Sequence, residues 1–247
     1  MAGKKAIESE IEKKAIDFRQ QNGFSSTEPV HLKSLLLQKN ILSVFRPLSD
    51  DFSGMALKIG SSRFMMVNTE QSQGKQHFTI AHELYHLCIQ DNFTSQQCKT
   101  GSFDTKDIEE YKADLFAAFF LLPSEGIKKM IPTEELARNA EISIQTILKI
   151  EQFYSVSRSA LLYRLKALGF INSAIYDRYS RDVIKSALSY GYPVALYRKA
   201  AEQSVIGDYG VLAQQLFSSG EISESHYYEL MNAIGVNPLE EETENGF

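Results

Sequence analysis

The stretch FTIAHELYHLCIQD, Phe78 to Asp91, sets two histidines four residues apart with a glutamate directly after the first. Phe78, Ile80, Ala81, Leu84 and Leu87 lie almost all round the helix this spacing predicts, which marks it as buried. Positions i and i+4 share one helix face, with Cβ atoms about 5–6 Å apart. His82 and His86 can therefore reach one tetrahedral zinc through their imidazole nitrogens, at roughly 2.0–2.1 Å. Glu83 sits about 100° round the helix, off the ligand face yet close enough to touch a water on the metal. Zinc lowers the pKa of such a water towards about 7, and a glutamate so placed takes the proton and returns it to a leaving amine. A surface helix with two chance histidines is the competing view, but buried histidines need partners, and a metal is a good one.

A catalytic zinc takes three protein ligands and keeps a fourth position for water. The segment DIEEYKADLFAAFFLLP, residues 107 to 123, predicts a helix ending at Pro123. Ile108, Tyr111, Leu115, Phe119 and Leu122 form its apolar stripe, widened by Phe116 and Phe120. Glu110 and Asp114 are four apart on a face that continues to Ala117 and Leu121. Inward carboxylates are costly unless they are paired or bind a metal. Glu110 is the expected third ligand. Asp114, one turn on, is placed to accept an N–H from a ligating histidine and fix its tautomer. An exposed acidic first turn favoured by the helix dipole accounts for Glu109 and partly for Glu110, but not for Asp114. Glu109 stays open as an alternative ligand, because the helix phase is not set by spacing alone.

Around these two segments the chain reads as α+β and mostly helical. Residues 5 to 21 and 30 to 39 carry helical apolar spacing, through Ile7, Ile11, Ala15 and Phe18, and then Leu32, Leu35 and Leu36. Between them and the histidine helix, ILSVF, GMALKI and RFMMVN predict a small three-stranded antiparallel sheet packed on the zinc-site helices, with a hairpin loop at 60 to 62. Residues 91 to 107 are polar and predict a loop. TILKIEQFYSVSRSALLYRLKALGFI, residues 146 to 171, predicts a helix-turn-helix with Ser157 as N-cap and Gly169 as stop. Arg158, Arg164 and Lys166 would give its second helix a basic face able to meet phosphates. Further helices and a frayed acidic tail, LEEETENGF, follow. The expected organisation is a peptidase-like domain at 1–130, a helix-turn-helix module at 131–172 and a helical region at 173–247.

The chain has 247 residues, with 31 acidic and 26 basic side chains, a balance that makes DNA a weaker expectation than a protein partner. Two cysteines are too few for a disulfide framework and fit a reducing compartment. With no signal-like N-terminus and no apolar run of membrane length, a cytoplasmic location is expected, without membrane contact.

FTIAHELYH and EEYKADLFAAFFLLP, in this order after a short sheet ending in VN, resemble the ImmA/IrrE family of metallopeptidases over roughly residues 10 to 125. The resemblance implies a gluzincin-like site with one Zn2+ per chain. His82, His86 and Glu110 would be its ligands and Glu83 the general base. It also implies a protein substrate, a helix-turn-helix transcriptional repressor of a mobile element or stress regulon. Three positions depart from the family pattern. Asp114 stands where asparagine is usual, Tyr85 where glycine is, and His77 where arginine is. The alternative function is a non-proteolytic regulator that binds a protein or DNA partner and keeps a structural or vestigial zinc.

Other residues were weighed beside these. His77 and His226 are candidates for transition-state stabilisation. Cys88, two residues after His86, points away from the ligand face and reads as an inert buried thiol, whereas Cys98 in the polar stretch could be reactive. An extended peptide substrate would add to an exposed sheet edge, for which GMALKI or RFMMVN are the candidates.

Overall fold

The computed structural model describes residues 2–93, 95–137, 141–199 and 203–237. Helices α1 (Ala2–Gln21) and α2 (Leu32–Gln38) lead into β1 (Ile41–Arg46), β2 (Gly54–Ile59) and β3 (Ser62–Asn68). The histidine helix α3 (Gln73–Cys88) comes next, then β4 (Ser95–Cys98), α4 (Ile108–Leu121) and α5 (Ser124–Met130). A helix pair, α6 (Ile144–Tyr154) and α7 (Arg158–Ala167), precedes α8 (Ser173–Tyr179) and α9 (Val183–Ser189). Strand β5 (Ser204–Ile206) and the helices α10 (Tyr209–Ser218) and α11 (Glu224–Ala233) follow. The acidic tail read at 239–247 lies outside the described residues. No helix among them is long and apolar enough to cross a membrane.

The α+β class holds, but the sheet corrects the three-stranded antiparallel expectation. It is mixed and five-stranded, in the order β4-β2-β3-β1-β5. β2 and β3 form the expected hairpin, turning at Gly60 with φ of 57°. β1 instead lies parallel to β3, on the side away from β2. The chain reaches that order by carrying residues 47–53 across the end of β3. Asn68 at that end holds the crossing in place. Its Oδ1 accepts from Leu48 N, and its Nδ2 donates to the carbonyls of Ser49 and Phe52. These bonds satisfy loop backbone that the sheet cannot. The polar stretch after α3 contributes β4, antiparallel to β2. GMALKI and RFMMVN are therefore interior strands, and the edges belong to β4 and β5.

The stripe on α1 is buried at Ile11, Ala15 and Phe18 and packs along α4. Ile108 is the exception in the α4 stripe and faces outwards. Two buried arginines secure the C-terminal end of α4. Arg19 donates to the carbonyl of Phe120, and Arg164 donates to that of Leu122 at 3.1 Å. Both sit where the helix leaves carbonyls unpaired and its dipole favours cations. Arg164 is further paired with Glu12, which ties α7 to α1 and α4 together.

α6 and α7 meet through Ser155, in the left-handed conformation, and the N-cap Ser157, whose side chain accepts from Ala160 N. The pair docks on the start of α3, where a Cβ on Gly74 would come within 2.7 Å of Ser157 N. The basic face expected for α7 is mostly buried. Arg158 forms a two-pronged ion pair with Glu151 of α6 and donates to the Tyr179 carbonyl. Arg164 is used as described, leaving Lys166 exposed beside the ring of Tyr176.

Candidate metal centre

Helix α3 runs under the sheet and presents His82, Glu83 and His86 to the interior, all fully buried. Helix α4 lies beside it. Asp107 caps α4 by accepting from the backbone N–H groups of Glu109 and Glu110. That cap sets the first turn so that Glu110 faces the imidazoles. Its two carboxylate oxygens stand 3.2 Å from His82 Nε2 and 3.2 Å from His86 Nε2. The two Nε2 atoms are also 3.2 Å apart.

The partners of the other ring nitrogens decide what this cluster can do. His82 Nδ1 lies 2.9 Å from Asp114 Oδ1 and His86 Nδ1 lies 2.5 Å from Gln90 Oε1. Both partners are acceptors, so each Nδ1 carries the proton and each neutral ring turns a bare lone pair inwards. Two lone pairs and a carboxylate then converge with no donor among them. Only a cation at their centre makes the arrangement favourable. A tetrahedral metal with bonds of about 2.0–2.1 Å would hold donors roughly 3.3 Å apart, which matches the observed spacing. A proton is the weaker substitute. Burial works against a charged His82, but contacts to Asp114, Cys98 and Glu110 outweigh it and raise its pKa well above the usual value. Burial likewise favours a neutral Glu110, yet the two imidazoles hold its pKa down at about 2.

Asp114 is itself fixed. It accepts from the backbone of Gly101 at 2.8 Å and Phe103 at 2.7 Å as well as from His82. Phe93 stacks on the His86 ring with centroids 5.1 Å apart. The segment after α3 thus wraps the centre from Phe93 to Phe103.

Glu83 points to the sheet side. A Cβ on Gly54, at the start of β2, would meet Thr79 Cγ2 at 2.5 Å and Glu83 Oε1 at 3.0 Å. Glycine there lets the strand lie directly over this carboxylate. Cys98 Sγ donates to Oε1, and Oε2 has no partner among the described residues. Burial pushes the Glu83 pKa up, partly offset by the two histidines. A carboxylate raised in this way is suited to act as a base near neutral pH.

Of the remaining sequence-derived candidates, Glu109 turns away from the imidazoles and accepts from Tyr85 Oη at 2.9 Å and Lys112 Nζ at 2.6 Å. Tyr85, at the position where the family pattern has glycine, is therefore a partner for Glu109. His77 Nδ1 sits 2.7 Å from the Ser155 carbonyl, joining α3 to the α6–α7 turn. His226 is exposed on α11. No hydrogen bond or ion pair among the described residues ties either histidine to the cluster. Cys98, Gln90, Phe93 and Gly54 are the contributors that sequence reasoning missed. Only Gln90 carried a local signal, four residues after His86 on the same face.

Three donors from two adjacent helices, with a buried carboxylate beside them, define a metallopeptidase-type domain. A family model described as the IrrE N-terminal-like domain of peptidase family M78 matches residues 38–166, and the chain belongs to that family, the ImmA/IrrE metallopeptidases. The match runs from the end of α2 through α7. No curated protein matches the chain.

Proposed function

We propose that this chain is a zinc-dependent endopeptidase of the cytoplasm whose substrate is a specific protein, a helix-turn-helix transcriptional repressor of a mobile element or stress regulon. The observation that carries the metal is the convergence of three acceptor groups at 3.2 Å with no donor between them. His82, His86 and Glu110 would hold one Zn2+. When bound, it supplies Lewis acidity to the scissile carbonyl and to the attacking water. Glu83 takes the proton of that water and delivers it to the leaving amine nitrogen. Asp114 keeps His82 in the tautomer that leaves Nε2 free. The substrate class comes from the family resemblance alone.

A second reading is a non-proteolytic regulator with a structural metal. It is favoured by β4 and Cys98, which cover the side of the centre where a substrate would enter. The surface of α7 supports a protein partner over DNA, since two of its three basic side chains are buried in ion pairs.

The decisive comparison is wild type against Glu83→Gln, incubated with a co-purifying or genetically adjacent repressor. Wild type should cleave it, and the variant should keep its zinc but leave the repressor whole. Full cleavage by the variant would overturn the proposed role of Glu83. Binding of the repressor without cleavage, undiminished after the metal is stripped, would favour the second reading.

A further inference from the structure

Cys98 is the last residue of β4, and its backbone pairs with Gly54 of β2. Because β2 lies over α3 at that point, the register delivers the sulfur into the metal centre. Sγ is placed against Glu83 Oε1 and 3.3 Å from the Gly54 carbonyl, and it is also a hydrogen-bond partner of His82. Donor atoms of His82, Glu83 and Cys98 all lie within 4.8 Å of one another. This second trio shares His82 with the first, so the sulfur stands between the general base and a metal ligand. Glu83 is fully buried in the same place, and its Oε2 has no partner among the described residues. A thiol in this position occupies the space an attacking water would need.

We infer that Cys98 is an exchangeable fourth ligand, whose thiolate closes the metal site until an extended peptide displaces β4 from the edge of β2. The assignment rests on the metallopeptidase function proposed above. On coordination the Sγ–H bond breaks, a sulfur–metal bond forms, and the proton passes to the Glu83 carboxylate that the sulfur already faces. Both halves of the machinery are then off together, with the open position filled and the base protonated. When a peptide strand replaces β4 along β2, the sulfur–metal bond breaks. The proton returns to the sulfur, and Glu83 becomes a base beside the vacated position. Strand exchange suits such a trigger. β4 is short and polar, and the backbone groups of β2 that it satisfies can be satisfied equally by any extended chain.

The test uses the full chain loaded with Co2+ in place of its native metal, because a thiolate on cobalt gives a near-ultraviolet charge-transfer band that nitrogen and oxygen ligands do not. Wild type and Cys88→Ala should show the band. Cys98→Ser and Cys98→Ala should lose it while retaining bound cobalt and its visible bands. Cobalt bound without the band in wild type would overturn the role of Cys98 and leave the His82–His86–Glu110 site standing. Persistence of the band in Cys98→Ser would do the same. Failure of wild type to bind cobalt at all would overturn both. The wild-type spectrum decides the matter even if a variant does not fold.

Discussion

Asp114 Oδ1 lies 2.9 Å from His82 Nδ1, across from the face on which the same ring meets Glu110. One carboxylate thus holds the ring by its edge while the other shares the site the ring serves. Removing the holder should weaken the site without removing a ligand. For Asp114→Ala, the expected outcome is a loss of metal affinity of about 10–100-fold, read by competition with a chelator of known affinity. Unchanged affinity would show that the ring is oriented by packing alone.

Acid should compete with the metal at His82. In the stripped protein its folded pKa is raised, because Asp114, Cys98 and Glu110 outweigh the cost of burial. A group of this kind contributes stability that is fully present below its unfolded pKa of about 6.5 and is lost as pH rises through the higher folded value. The metal takes the place of that proton. The stabilisation produced by zinc should therefore grow from about pH 6 to about pH 8. Melting temperatures of loaded and stripped protein across this range would test it, and a gap that narrows with rising pH would contradict it.

Gly54→Ala should disturb the centre from the sheet side. The added methyl would press on Thr79 Cγ2 and Glu83 Oε1, neither of which can yield far in a buried layer. A cost of about 1–3 kcal/mol is expected from this overpacking, measured by denaturant unfolding. Peptide hydrolysis should fall by more than that loss of folded protein explains, with metal content unchanged. A fully active, fully stable variant would mean that β2 can lift off α3 at no cost.

Arg158 should behave as a structural residue. Replacing it with methionine leaves Glu151 fully buried with only Tyr197 Oη as a hydroxyl donor, and should cost about 3–5 kcal/mol. Exchanging both members of the pair for apolar residues of similar size should recover much of that. If Arg158→Met instead leaves stability intact and abolishes a salt-sensitive interaction with duplex DNA, α7 is a nucleic-acid surface after all.

The histidine pair and its glutamate could be read from the chain because the property that matters is local. An i, i+4 spacing places two rings on one face whatever surrounds the helix. The helices α1, α2, α3 and α4 were legible for the same reason, since their apolar periodicity records which face is buried. Between Glu109 and Glu110, spacing could not choose. That choice follows from how α4 is rotated against α3, a consequence of packing and of the Asp107 cap.

The parallel pairing of β1 with β3 and the existence of β4 left no mark of this kind. Ser95 to Cys98 has no apolar alternation, and it is a strand because the backbone edge of β2, some forty residues earlier, offers it hydrogen bonds. Arg164 looked like a surface charge because its partner Glu12 lies 152 positions away. Cys98 became part of the metal centre through the same long-range pairing. Helical repeats encode a face within a few residues, whereas strand order, buried ion pairs and the fourth side of this site depend on contacts between segments that meet only once the chain has closed on itself.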